Sequence, residues 1–180
     1  AWLFFPPIAT TLVWFFLNSS GVVKVADTGM PYPAFVMIGT LLWQAFLESL
    51  TKPIMSLTAS KAMLVKLNFP RIAPVLAGIG QTTVTSAIRL VLLIPIFVFA
   101  GVEASWTIVF FPLAYLSMVL LGIAIGSLLT PIGLLYTDIG KGIGLIGQFM
   151  MYATPVVYPI ASEGFLGWVN KVNPVTYLLE

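Results

Sequence analysis

Residues 52–71 read KPIMSLTASKAMLVKLNFPR, and this stretch decides how the chain is oriented. It contains four of the eight basic residues, Lys52, Lys61, Lys66 and Arg71, and no acidic residue. Long apolar segments precede and follow it. Because positively charged loops are retained on the cytoplasmic side of a membrane during insertion, the stretch predicts a cytoplasmic connection between membrane-spanning helices.

The composition of the chain is that of a membrane protein. Hydrophobic residues make up 59% of its 180 residues and charged residues 8%, whereas about 25% of the residues in a soluble domain are charged. The mean hydropathy is +1.06. A net charge of only +2, concentrated in one stretch, argues against a nucleic-acid partner. With neither cysteine nor histidine, the sequence excludes disulfides, thiolate chemistry and imidazole groups, and we expect no metal site.

Five apolar segments are interpreted as membrane spans, each of which needs roughly 20 residues. Prolines and glycines set several of their limits, and Pro131 with Gly133 is taken to mark the inner end of the fourth span. The fifth is short and bent at Thr154-Pro155. The predicted spans are about 2–17, 34–57, 72–100, 106–130 and 143–160.

The segments between the spans give a consistent topology. Residues 58–71 form an inner segment with a short surface helix over 60–67, and residues 136–141 form a second inner loop. Residues 161–172 mix charged, glycine and apolar residues, which favours a re-entrant piece on the outer side. Five basic residues then lie inside and two lie outside, as expected for this topology.

The predicted fold class is therefore all-α, a polytopic transmembrane helical bundle with five spans plus an outer re-entrant segment. Residues 1–180 are expected to form a single transmembrane domain that is truncated at both ends. A sixth span, which would return the chain to the cytoplasm, is expected to be missing from this sequence.

Two charged residues, Glu48 and Arg89, fall within predicted spans. An ionised side chain in hydrocarbon is costly and normally faces protein or water, so both are candidates for a buried functional charge. They could pair, although residue counting places Arg89 nearer the outer half and Glu48 nearer the inner half of the membrane. Alternatively, Arg89 faces a channel and attracts an anionic group such as a lipid diphosphate, or a span boundary is misplaced.

Gly122 and Gly126 form a G-x-x-x-G step in the fourth predicted span. Two glycines one turn apart let helices approach closely. The step therefore predicts a helix-packing surface.

Several short motifs, taken together, resemble the membrane subunit of ABC exporters for polysaccharides. The matching stretches are Tyr32-Pro33, KLNFPR at 66–71, YTD at 136–138, ATPVVYP at 153–159 and NPVTYLLE at 173–180. That family exports O-antigen, capsule and teichoic-acid polymers. The resemblance implies six spans per subunit, a homodimer, a lipid-linked glycan as substrate, and location in the bacterial cytoplasmic (inner) membrane. The family's basic amphipathic helix before the first span is absent from this sequence, which supports the expected truncation.

The resemblance also implies a cytoplasmic ATPase subunit that binds the inner segments. We expect ATP and Mg on that partner and no cofactor in this chain, because the sequence lacks a G-x-x-x-x-G-K-[ST] phosphate-binding loop. Asp138 and Lys141 are also spaced for pairing one helical turn apart. Positive-inside retention and binding of anionic membrane lipids explain the basic residues equally well. The candidate coupling residues are Lys61, Lys66, Phe69, Pro70, Arg71, Asp138 and Lys141.

Aromatic residues of the first and fifth spans are candidates for lining a glycan channel. Tyr and Trp combine a flat apolar ring with a hydrogen-bonding group, which suits sliding contact with sugars. The alternative is an interfacial belt or a lipid-facing position. Tyr152 is the strongest candidate, followed by Phe149. With Arg89, the pore or substrate candidates are Phe4, Phe5, Trp14, Phe149, Tyr152 and Tyr158.

The leading hypothesis is the transmembrane subunit of an ATP-driven exporter for a lipid-linked polysaccharide, which is a transport component and not an enzyme. A drug or haem exporter of the same superfamily is the nearest alternative. An ion-coupled transporter or channel is disfavoured because Glu48 is the sole acidic residue within the predicted spans. A membrane-embedded enzyme would need a catalytic constellation, and none is visible in the sequence.

Overall fold

The computed structural model describes a helical protein. The described residues are 5–20, 31–66, 70, 72–99, 109–136, 138–154, 156 and 175–176. Within them, the helices are α1 (Phe5–Ser19), α2 (Tyr32–Ala59), α3 (Lys61–Lys66), α4 (Ile72–Phe99), α5 (Phe111–Leu135) and α6 (Asp138–Ala153). The predicted all-α class is confirmed.

Three of the described helices are long and apolar enough to cross a membrane, namely α2, α4 and α5. A helix of 25 residues, such as α5, spans about 37 Å at a rise of about 1.5 Å per residue, which exceeds the ~30 Å hydrocarbon core of a bilayer. The helices α1 and α6 have 15 and 16 residues, which is short for a crossing. The predicted count of five spans is therefore not confirmed, and both short segments extend by prediction into residues outside the described ones.

The helix α5, which corresponds to the fourth predicted span, differs from the predicted limits of 106–130. It begins at Phe111 and continues through Pro131 to Leu135, so the prediction that Pro131 marks its inner end was wrong. Proline removes one backbone hydrogen bond and normally kinks a helix. Here α5 remains packed on α2 beyond the proline, because Gly133 lies directly against Ile54. Tertiary packing thus sustains the helix where local propensity would end it.

The inner segments are shorter loops than the sequence suggested. The helix α6 begins at Asp138, so residues 138–141 form its first turn and are not part of a loop. A carboxylate in the first turn is favourable beside the positive end of the helix dipole. The short helix predicted over 60–67 is present as α3, while the predicted re-entrant piece at 161–172 lies outside the described residues.

The helix α2 forms the centre of the bundle and contacts α1, α4, α5 and α6. Fourteen of its 28 residues are buried, as expected for a helix surrounded by other helices. Its Leu41 and Trp43 pack in one cluster with Leu93 of α4 and with Tyr115 and Met118 of α5. In contrast, α4 and α5 expose large apolar side chains on their outer faces, a distribution suited to a lipid environment.

The G-x-x-x-G step forms the packing surface that the sequence predicted. Gly122 and Gly126 are buried against α2. A Cβ atom added at Gly122 would lie 2.7 Å from the Cβ of Ser49, and one added at Gly126 would overlap the carbonyl oxygen of Leu50. Only glycine permits this approach of the two backbones.

Candidate functional site

An ion pair joins α2 to α4 inside the bundle. Arg89 Nη2 lies 2.7 Å from Glu48 Oε2, with the Arg89 side chain 7% exposed and the Glu48 side chain 22% exposed. The pairing anticipated from the sequence is therefore present. Residue counting suggests that the two positions lie at different depths in the membrane. This difference is only on the order of 9 Å along the helix axis at about 1.5 Å per residue, and two long side chains bridge it.

The ion pair contributes to one wall of a polar groove between α2, α4 and α6. The groove has a volume of about 300 Å³. Its lining residues are Gln44, Leu47, Glu48, Thr51 and Met55 of α2, Arg89 of α4, and Gly144 and Gln148 of α6.

The two glutamines of this groove were missed by sequence reasoning. Gln44 and Glu48 are four residues apart on α2, and Gly144 and Gln148 are four apart on α6, so each pair shares one helix face. That spacing was a usable signal, because a polar stripe on an otherwise apolar helix indicates a surface that avoids lipid. Which stripes meet depends on the packing of α6 against α2, and the sequence did not reveal it.

A second, apolar cavity of about 240 Å³ is lined by residues of α2, α5 and α6. Trp43 contributes to its lining and donates a hydrogen bond from Nε1 to the Gly147 carbonyl oxygen, 3.0 Å away. Gly147 also packs against the Leu47 side chain. This contact fixes α6 beside α2 and therefore sets the position of the polar groove.

The aromatic candidates occupy different environments. Trp14 of α1 is half-buried and lies against Tyr152 of α6, with ring centroids 6.2 Å apart. Phe5, Phe149 and Tyr152 are exposed. The structure thus brings Trp14 and Tyr152 together, whereas Phe4 and Tyr158 lie outside the described residues.

The coupling candidates gather at the C-terminal end of α2. Lys61 is exposed, and its Nζ donates to the Leu134 carbonyl oxygen in the last turn of α5 at 3.4 Å. A cation at this position is favourable because the last carbonyl groups of a helix carry its negative dipole end. Lys66 and Pro70 are exposed as well, whereas Phe69 and Arg71 lie outside the described residues.

The first turn of α6 lies at the same end of the bundle. Asp138 and Lys141 are exposed there, and between them Gly140 packs against Ile54 of α2. Ile54 also contacts Gly133 of α5. The ends of α2, α5 and α6 therefore meet around one residue, and α3 is attached to this junction through Lys61.

Comparison with known proteins identifies the family. A family model described as ABC-2 type transporter matches residues 1–180. The chain is 25% identical over 185 residues to the O-antigen export system permease protein RfbA of Myxococcus xanthus. The aligned region covers 99% of this chain and 68% of that protein. It is 22% identical over 181 residues to the protein of the same name from Klebsiella pneumoniae, again with 99% and 68% coverage. Together with the apolar bundle, the full-length match shows that this multi-pass membrane chain belongs to the ABC-2 type transporter family and is a transport component rather than an enzyme.

Proposed function

We propose that the chain is the transmembrane subunit of an ATP-driven exporter that carries a lipid-linked polysaccharide across the bacterial cytoplasmic (inner) membrane. The observation that carries the proposal is the match of all 180 residues to the ABC-2 family, together with relatives named as O-antigen export permeases across 99% of the chain. The chain works as a homodimer in this proposal, because the family resemblance implies two copies around one path.

Energy enters from a separate cytoplasmic ATPase subunit that binds ATP and Mg. The proposed contact surface consists of α3, residues 69–71 and the first turn of α6. Support comes from the exposure of Lys61, Lys66, Asp138 and Lys141 at one end of the bundle, and from the bond between Lys61 and Leu134. A displacement of α3 would be transmitted directly to α5 through the hydrogen bond between Lys61 and Leu134. It would be transmitted to α6 through the contacts of Ile54.

The path for the glycan runs beside α1, α2 and α6 in this proposal. Support comes from the Trp14–Tyr152 contact and from the polar groove, whose glutamines and ion pair suit water or sugar hydroxyl groups better than lipid. Aromatic rings provide flat apolar surfaces for sugar faces. Among the candidate rings that the structure describes, Phe5, Phe149 and Tyr152 are exposed enough to contribute.

A depletion experiment in the host cell tests the proposed function. Loss of the chain is expected to leave the lipid-linked polysaccharide on the cytoplasmic leaflet, out of reach of a polymer-specific antibody applied to intact cells. Plasmid-borne expression of the complete permease should restore surface display. Normal display of the polymer after depletion would contradict the proposal.

A further inference from the structure

The polar groove beside Glu48 and Arg89 is unusual for its surroundings. Glu48 retains 22% of its side-chain exposure although it lies in the middle of a membrane-spanning helix. Gln44 is partly exposed and Gln148 is exposed on the same groove. A partly open carboxylate flanked by two amides is strongly disfavoured in contact with lipid tails. The groove therefore faces water, a ligand or a second copy of the chain.

The charge of the groove selects among ligands. Its charged lining residues are one acid and one base, and they neutralise each other at 2.7 Å. The carboxylate is the more exposed partner, and the guanidinium is largely covered. A phosphate or diphosphate group that entered the groove would lose bound water and would approach the exposed carboxylate first. The two negative charges would repel each other. The arrangement thus disfavours the anionic head group that an unpaired Arg89 would have attracted.

The hydrogen-bonding groups of the groove match hydroxyl groups. The Glu48 carboxylate accepts hydrogen bonds, and each glutamine amide both accepts and donates them. The buried Nε of Arg89 has no hydrogen-bond partner among the described residues, so the guanidinium retains unused donor capacity beside the groove. Apolar surface between these groups comes from Leu47, Met55 and Gly144. A sugar ring has apolar faces and a rim of hydroxyl groups, so it needs both kinds of surface.

We infer that this groove is a binding subsite for a neutral, hydroxyl-rich group, such as one uncharged sugar unit. Its volume of about 300 Å³ lies at the lower end of the range for ligand pockets, which begins at roughly 300 Å³. The inference rests on the proposed function for the ligand's origin in an exported glycan. It extends that function by naming the groove as a place where the glycan is contacted and by predicting that the groove prefers uncharged sugar units.

Cysteine labelling gives a direct test because the chain contains no cysteine. A Cβ atom added at Gly144 would have no described neighbour within 4 Å outside its own helix, so Gly144→Cys places a thiol in the groove without a clash. The matched control is Gly80→Cys, which is equally uncrowded. Gly80 lies on the exposed apolar face of α4 between Leu76 and Val84.

The experiment uses the permease–ATPase complex in lipid vesicles with a hydrophilic cationic thiol reagent on both sides. We expect the cysteine at 144 to react about tenfold faster than the one at 80, because only hydrated thiols ionise and meet the reagent. The neutral oligosaccharide maltoheptaose should slow labelling at 144 about threefold at twice its dissociation constant, by simple occupancy. Inorganic diphosphate should leave the rate unchanged.

A second variant identifies the hydrogen-bonding groups. Gln148→Leu, combined with Gly144→Cys, should abolish protection by maltoheptaose while labelling still occurs. The matched substitution Gln81→Leu, on the exposed surface of α4, should leave protection intact. Protection by diphosphate in place of maltoheptaose, protection by neither, or equal labelling at 144 and 80 would overturn the inference.

The same vesicles separate this inference from the proposed function. Export of a lipid-linked glycan by the complex without the introduced cysteine, together with an unprotected cysteine at 144, would overturn the subsite and leave the function standing. Protection by maltoheptaose without any export would support the subsite and contradict the function.

Discussion

Arg89 of α4 and Glu48 of α2 are paired at 2.7 Å within the bundle. The pair joins two of the three described helices that are long enough to cross a membrane. Nearby contacts follow the same antiparallel arrangement, since the Ser56 hydroxyl donates to the Pro74 carbonyl oxygen at 2.6 Å and Gly78 packs against the backbone of Lys52. The ion pair therefore fixes how α2 and α4 are aligned beside the polar groove.

Removing one partner of the pair should destabilise the bundle. Glu48→Ala leaves the buried guanidinium of Arg89 without its counter-charge, and such a loss costs about 3 kcal/mol in buried pairs. We expect a clearly lower Tm of the detergent-solubilised protein. The double variant Glu48→Leu with Arg89→Leu should recover most of the loss, because an apolar pair leaves no uncompensated charge. Equal stability of Glu48→Ala and the unmodified protein would show that the pair is not holding α2 against α4.

The glycine contact between α5 and α2 should tolerate no side chain. Gly126→Ala would force its methyl group into the Leu50 carbonyl oxygen, and overpacking of this kind costs about 1–3 kcal/mol. The expected result is a lower Tm. Gly142→Ala is the matched control, since a Cβ there meets no described atom within 4 Å outside its own helix and alanine favours helix by up to about 1 kcal/mol over glycine. A Gly126→Ala protein as stable as the Gly142→Ala protein would contradict the packing account.

The hydrogen bond from Trp43 to Gly147 should hold α6 in place. Trp43→Phe keeps an aromatic ring but removes the Nε1 donor, whose bond measures 3.0 Å. The loss should be about 1 kcal/mol, the usual net value of one hydrogen bond. Proteolysis within α6 should become faster in Trp43→Phe than in the unmodified protein. Unchanged proteolysis in Trp43→Phe would mean that the cavity lining alone fixes α6.

Charge reversal on α3 should uncouple the permease from its ATPase. Lys61→Glu combined with Lys66→Glu reverses two exposed charges and removes the bond to Leu134. We expect co-purification of the ATPase to fall about tenfold, because reversed charges oppose a complementary surface. Lys24→Glu, at a residue predicted on the outer side, serves as the control. If membrane insertion and ATPase recovery both stay normal in the α3 variant, the proposal that α3 binds the ATPase is wrong.

The sequence predicted the helices that local signals determine. The helices Tyr32–Ala59 and Ile72–Phe99 cover the apolar segments predicted at 34–57 and 72–100, because each apolar run is bounded by proline, a basic residue or glycine. The end of α5 was misplaced because Pro131 was interpreted as a helix end, whereas packing of Gly133 on Ile54 continues the helix. The start of α6 was misplaced because residues 136–141 were interpreted as a loop, whereas the helix begins at Asp138. Local propensity is a weak guide where tertiary contacts are dense.

The site was only partly predictable for a related reason. Glu48 and Arg89 stand out in the sequence because a charge within an apolar span is rare, and their pairing was one of the alternatives considered. Gln44 and Gln148 carry no charge and belong to helices distant in the chain, so only the packing of α6 on α2 brings them to one groove. The contact from Lys61 to Leu134 likewise links residues 73 positions apart.

ATP-driven transport in reconstituted vesicles tests the central claim most directly. Vesicles would contain the complete permease and its ATPase, with ATP and a lipid-linked polysaccharide supplied on the side that exposes α3. We predict that polymer moves to the opposite leaflet, where an added glycosidase cannot reach it, and that a non-hydrolysable ATP analogue abolishes the movement. Polymer movement driven by an ion gradient without ATP, or ATP-driven movement of a small drug but not of the polymer, would contradict the account.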